Sequence, residues 1–230
     1  MTKPPPSSRR GITDAGGEHV PNVDTNRFRR ARFRMLVEEI EAKLGDKPLI
    51  RVLDIGGTRG FWLGVRDLWQ HLPLDITIVN LETPAIDEPP FRIRQGNACN
   101  LSEHADGSFD FVHSNSVIEH VGHWKDMRAM ADEIRRLAPH HFIQTPNFWF
   151  PLEPHYRTLF FHWYPEIVRA RMLARKKRGF RAKEPSIGAA VENVQTVNLL
   201  ARDQMRSLFP DSRIESEKVM LLTKSLMAIR

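Results

Sequence analysis

The sequence predicts an α/β protein: a doubly wound, mostly parallel sheet with the last strand antiparallel, helices on both faces and a helical lid. Three observations carry this. Short apolar runs bounded by Gly, Pro and polar residues alternate with segments of helical period. The first run, Ile50–Ile55, enters a glycine turn, Gly56-Gly-Thr-Arg-Gly60, and then a helix. The last two strand-like runs, Arg213–Val219 and Leu221–Ile229, are separated by almost nothing, as antiparallel neighbours are.

The elements follow in order. A helix opens near Asp24 or Thr25, either able to cap it, and turns Phe28, Phe33, Leu36, Val37 and Ile40 to one face before Gly45 ends it. After the first strand come a helix over 60–71, a strand over Leu74–Leu81 and a shorter one over Phe91–Arg94. Asp106-Gly107-Ser108 is a turn and Phe109–His113 a strand. Met127, Met130, Ile134 and Leu137 recur at helical spacing within Trp124–Leu137. His141–Gln144 is a strand closed by Thr145-Pro146-Asn147, and residues 148–183 hold one or two helices. A short helix over Ala201–Phe209 precedes the two final strands.

Composition sets the outer bounds. The 230 residues carry 34 Lys and Arg against 28 Asp and Glu, a net charge of +6, with 41% hydrophobic and 27% charged residues. Such a chain can bury one larger core without staples. Its single cysteine excludes a disulfide scaffold or a Cys-rich metal site. No apolar run reaches the ~18–20 residues of a membrane span, and the opening MTKPPPSSRRGITDAGGE has no apolar core of a secretory signal. A cytoplasmic protein is expected. Residues 1–22, rich in Pro, Gly and Ser, read as a disordered lead, and 23–230 as one domain with an aromatic and basic insert at about 148–185.

The glycine turn decides the chemistry. A dinucleotide turn needs G-x-G-x-x-G, and Thr58 breaks that pattern two positions after Gly56. With Asp54 two residues before Gly56, Val52–Gly60 instead resembles the loop of class I S-adenosylmethionine-dependent methyltransferases. Three further segments resemble that family in the same order: Ile76–Glu82, Gly96-Asn97-Ala98, and Asp106–Val121. The resemblance implies a Rossmann-like methyltransferase sheet that binds S-adenosyl-L-methionine and releases S-adenosyl-L-homocysteine. It places Asp54, Gly56, Gly57, Thr58 and Gly60 at the methionine side, Asn80 or Glu82 at the ribose, Asn97 and Ala98 at the adenine, and Ser114 or Asn115 towards the methyl group. Thr58 stands where a middle glycine is usual, and Asn97 where an Asp is usual.

Acceptor residues are expected just past the fifth predicted strand. Phe148, Trp149, Tyr156 and His162 belong to an aromatic stretch that suits a substrate pocket or a packed lid. Glu153 and His155 are candidates for orienting or deprotonating an acceptor, with His120 a third. Glu119 and His120 also read as a structural pair. No metal site is expected, because His120/His123 and His140/His141 lack Cys or acidic partners in a ligand pattern. The chain has Ser114-Asn115-Ser116 where adenine methyltransferases carry their N-P-P-Y loop, which disfavours a nucleobase acceptor.

The positive charge is localised. Arg169, Arg171, Arg175, Lys176, Lys177, Arg178, Arg181 and Lys183 fall within fifteen residues without an acid. Arg27, Arg29, Arg30, Arg32 and Arg34 line the first helix, with Arg30 and Arg34 taken as substrate contacts. Two basic segments point to an anionic acceptor, a solvated surface or an anionic membrane. The expectation is O-methylation of an anionic small-molecule, saccharide or glycolipid acceptor. The rivals are a peptide or protein carboxyl methyltransferase and a non-catalytic RNA- or membrane-binding module.

Overall fold

The computed structural model describes residues 27–230. The expected lead and the candidate caps Asp24 and Thr25 lie outside the described residues. The chain divides into two compact units, one running through Ile50 and resuming at Gly57–Leu74, the other built from Arg51–Gly56 and Asp75–Arg230. No helix among the described residues is long and apolar enough to cross a membrane.

In the first unit, α1 (Arg27–Leu44) buries Phe33, Leu36, Val37 and Ile40 of its expected stripe together with Leu44, while Phe28 is only half-buried. Gly45 follows it, donating to the Glu41 carbonyl at 3.0 Å. The helix expected over 60–71 is instead two pieces, α2 (Arg59–Leu63) and α3 (Arg66–Trp69). Val65, at φ −126° and ψ 22°, leaves the helical region between them. Phe33, Trp62 and Trp69 meet edge to face, with the Phe33–Trp62 centroids 5.0 Å apart. The Trp69 indole N–H donates to the Trp62 carbonyl at 2.9 Å, which satisfies that buried donor inside the apolar knot.

The second unit is built on the sheet. The sheet's strands, of which only the first residues of β1 and β2 fall in the other unit, are β1 (Ile50–Ile55), β2 (Leu74–Asn80), β3 (Ile86–Glu88), β4 (Phe91–Gln95), β5 (Phe111–Asn115), β6 (His140–Pro146), β9 (Arg213–Val219) and β10 (Leu222–Ile229). They lie in the order β3-β4-β2-β1-β5-β6-β10-β9. The pairs β2/β4, β1/β5 and β5/β6 are parallel, whereas β10 runs antiparallel to both β6 and β9. The expected antiparallel end is therefore present, and β3 adds an unforeseen antiparallel strand at the other edge. From β1 the chain winds outward through β2 to β4, then returns to β5 on the opposite side of β1. That reversal is where open α/β sheets leave a crevice at the carboxyl ends of their strands.

The helix α4 (Trp124–Leu137) has the bounds its sequence predicts. It packs Met127, Met130, Ile134 and Leu137, with α7 (Arg202–Leu208), onto Leu53, Val112 and Ile143. Strand β5 starts two residues later than expected. Phe109 and Asp110 look strand-like but serve as its entry, their N–H groups donating to the Leu137 and Arg51 carbonyls. Residues 148–183 are more varied than one or two helices. They hold a two-residue hairpin of β7 (Leu152–Glu153) and β8 (Thr158–Leu159), a 3-10 turn at Phe161–Trp163 and α5 (Glu166–Arg175). A further helix, α6 (Ile187–Gln195), lies beyond the expected insert and packs on α5 around Tyr156, Phe161, Ala170, Leu173, Ala190 and Val194. This is a small second core.

Candidate active site

The turn after β1 has the glycine its shape demands. Gly56 sits at φ +75°, its N–H donating to the Val79 carbonyl at 2.8 Å. A Cβ there would lie 2.4 Å from Val117 Cγ2, so both backbone angle and space select glycine. Next to it, Asp54 is fully buried and hydrogen-bonds His113 Nδ1 through Oδ1 at 2.8 Å. Ser114, also fully buried, donates its hydroxyl to the Ile55 carbonyl at 3.0 Å. Both side chains thus tie β1 to β5, a structural duty that the expected ligand roles did not include.

The remaining expected cofactor residues gather at neighbouring strand ends. Asn80 is the last residue of β2 and the exposed Glu82 lies two beyond it. Asn97 turns its Oδ1 onto the Cys99 N–H at 3.0 Å, holding the loop after β4, and Ala98 packs on the core. Asn115 ends β5, half-buried. The strand ends β1, β2, β4 and β5 therefore carry a glycine turn, an exposed acid and amide groups, a donor set that suits a polar nucleoside with an amino-acid arm. Gly57, Thr58 and Gly60 belong to the other unit, where the Thr58 hydroxyl accepts from the Phe61 N–H at 3.1 Å and caps α2.

The catalytic candidates meet, although they are far apart in sequence. Glu153 on β7 is 1% exposed. One of its oxygens holds His155 Nδ1 at 2.7 Å and the other accepts the Tyr156 N–H. His155 Nε2 faces His120 Nε2 at 3.0 Å, and His120 Nδ1 lies 3.0 Å from the Thr196 carbonyl. Beside them Glu119 is fully buried. Thr145 donates its hydroxyl to Glu119 Oε2 at 3.0 Å, while Oε1 has no hydrogen-bond partner. Burial pushes the Glu119 carboxyl up to about 7, partly offset by its own backbone N–H, the His155 charge and the Thr145 hydroxyl. Burial is also the main cause that lowers His120. Glu119, set aside in the sequence as structural, thus joins the cluster. Thr196 falls in a stretch with no assigned element, where Ser186 followed by Ile187, Ala190 and Val194 was the overlooked sign of a capped helix.

Near the cluster lies a cleft of about 260 Å³, lined by Trp124, Phe148, His162, Arg169, Asn198 and Gln204 among others. Phe148 and His162 are therefore cleft residues. The Phe148 carbonyl accepts from His162 Nε2 at 2.6 Å and from the Trp163 indole at 2.9 Å. Arg169, from the basic run, is half-buried with its Nε unpartnered, and burial lowers its pKa. Trp149 is 64% exposed. Tyr156 is in the second core, its hydroxyl bonded to the Asn193 carbonyl and side chain at 3.1 and 3.0 Å. In the other unit, Arg30 pairs with Asp67 and Arg34 is exposed.

Residues 25–209 match a protein family described as a methyltransferase domain. The chain belongs to that family. Similar solved folds agree with the doubly wound sheet of this methyltransferase. Haemonchus contortus phosphoethanolamine N-methyltransferase 2 in complex with S-adenosyl-L-methionine is 17% identical at a TM-score of 0.51, over 81% of this chain and 39% of that one. The same enzyme with phosphomonomethylethanolamine and S-adenosylhomocysteine is 19% identical at 0.50, over 80% and 38%. The carbon methyltransferase CurJ is 10% identical at 0.52, over 87% and 53%. The present methyltransferase thus spans about two-fifths to one-half of these chains. No curated protein sequence matches it.

Proposed function

We propose that the chain uses S-adenosylmethionine to methylate an oxygen of an anionic small-molecule, saccharide or glycolipid acceptor. The observation that carries this reading is the Glu153–His155–His120 relay. The Thr196 carbonyl can only accept, so His120 Nδ1 carries its proton and Nε2 presents a lone pair. The Glu153 carboxylate likewise draws a proton to His155 Nδ1, leaving His155 Nε2 to take one from an acceptor hydroxyl. That proton then sits between the two Nε2 atoms, shared at 3.0 Å.

When bound, the donor supplies an electrophilic methyl on a sulfonium, whose carbon–sulfur electron pair returns to sulfur. The chain's own work is to align the acceptor oxygen, remove its proton and exclude water. Gly56, Glu82, Asn80 and Asn97 are the residues that would hold the donor. The half-buried Arg169, which lines the cleft with its Nε unpartnered, supports an anionic acceptor group there.

The test is calorimetry with S-adenosylmethionine, followed by turnover on carboxylated and phosphorylated hydroxyl acceptors. His155→Ala is expected to leave donor affinity within twofold and to lower kcat ~100-fold or more. Donor binding absent at micromolar concentration overturns the reading. Full turnover by His155→Ala on an accepted substrate favours instead a carboxylate acceptor, which needs no base.

A further inference from the structure

The histidine pair poses a problem of charge that the fold has left open. Each ring has its Nδ1 hydrogen directed outward, one to the Thr196 carbonyl and one to Glu153. As neutral rings they point two Nε2 lone pairs at each other across 3.0 Å, an arrangement that requires a cation between or beside them. A proton is one such cation. A carboxylate oxygen of Glu119 lies with both ring nitrogens in a group whose members are all within 4.8 Å of one another.

We propose that Glu119, His120 and His155 bind a divalent first-row transition-metal ion. Two imidazoles and one carboxylate form a borderline donor set that suits Zn²⁺ or Co²⁺ and disfavours Mg²⁺ and Ca²⁺, which prefer all-oxygen shells. Ligand atoms on a tetrahedral Zn²⁺ at ~2.0 Å stand ~3.3 Å apart. The two Nε2 atoms, 3.0 Å apart, are already close to that spacing, and a Glu119 carboxylate oxygen lies within 4.8 Å of a ring nitrogen of each histidine.

The surroundings are those of a metal site. Every ligand is oriented from behind: His155 by the Glu153 carboxylate, His120 by a backbone carbonyl, and Glu119 by the Thr145 hydroxyl. The buried Glu119 has one oxygen with no hydrogen-bond partner, a polar atom that burial without a ligand leaves uncompensated. Three protein ligands leave the metal an open position for water or an acceptor oxygen.

A metal on His155 Nε2 and His120 Nε2 would occupy the lone pairs that the proposed reaction uses for its proton, so bound metal and free base are alternative states of one cluster; the test needs neither donor nor acceptor. Full-length protein, stripped with EDTA and desalted, is titrated with Zn²⁺ by calorimetry and with Co²⁺ by visible absorption. One ion per chain is expected, with Co²⁺ giving the intense visible bands of a low-coordinate site. His155→Ala and Glu119→Gln each weaken Zn²⁺ binding at least tenfold, and Glu153→Gln does so by 10–100-fold. Cys99→Ser and His104→Ala leave it within twofold. His155 is partly exposed, so its variant remains informative if Glu119→Gln does not fold. Zn²⁺ binding weaker than ~100 μM, unchanged affinity in His155→Ala, or loss of binding in Cys99→Ser overturns the proposal. Any of those results leaves methyl transfer standing, whereas a methyltransferase assay that fails leaves the metal site standing.

Discussion

Replacing Gly56 by alanine tests the turn on which the proposed donor binding rests. At φ +75° an L-residue costs ~1–2 kcal/mol. The new Cβ would also lie 2.4, 3.1 and 3.3 Å from Val117 Cγ2, Cγ1 and Cβ. Forcing Val117 aside adds ~1–2 kcal/mol, so Gly56→Ala is expected to cost ~2–4 kcal/mol in all. Urea denaturation measures this directly, and calorimetry should show donor affinity falling at least tenfold. The two contributions separate in a cycle with Val117→Ala: removing the valine branches relieves the crowding but not the backbone angle. A coupling of ~1 kcal/mol or more in the favourable direction is expected in the double variant. If Gly56→Ala costs under ~0.5 kcal/mol, or if the two changes simply add, steric selection of glycine at this turn is refuted.

Other outcomes follow from the same geometry. Glu119, held up to about 7 in the fold, keeps a proton that the unfolded chain releases near 4.5. Its contribution to stability is therefore complete below ~pH 4.5 and lost as pH rises to ~7, an effect of about 3 kcal/mol. In EDTA, Glu119→Gln should flatten that fall in denaturation curves taken from pH 5 to 8; identical slopes for both proteins would remove Glu119 as the cause. Glu153→Ala strands the Tyr156 N–H and frees His155, so ~1–3 kcal/mol of stability should go with most of the turnover, read by melting and initial rates. Tyr156→Phe loses only a hydroxyl bonded to Asn193, about 1 kcal/mol, and should leave kcat unchanged, as fits a core residue. Arg136 binds the Leu101 and His104 carbonyls as well as Glu133 and Asp106. Arg136→Lys should accordingly lower the urea midpoint by the equivalent of ~1–2 kcal/mol, even with the exposed Asp106 pair discounted.

What the sequence made legible was whatever a local period or a turn residue encodes. Helix α4 shows its apolar stripe and ends where that stripe ends, and the β1 turn carries Gly56 at a positive φ that favours glycine. The hairpin β7/β8 was not legible because two-residue strands have no period to read, and Pro151 and Pro154 mask them as loop. The same limit hid the site. His120 and His155 lie 35 residues apart, and only the return of the chain through that hairpin brings them together. Ligand spacing searched along the sequence compared His120 with His123, which instead starts α4 with its N–H on Asp126. Asp54 and Ser114 show the converse. Their positions fit the family pattern, and their side chains also join two strands, a duty that no local pattern reveals.

The two outermost strands are poor partners for a further strand. β3 has only three residues, two of them acids, and β9 reads Arg-Ile-Glu-Ser-Glu-Lys-Val. A strand offered to either edge would find a short acidic ladder or a row of mixed charges rather than an apolar register to lock onto. Both edges of the eight-stranded layer are thus poor templates for growth of the sheet from molecule to molecule.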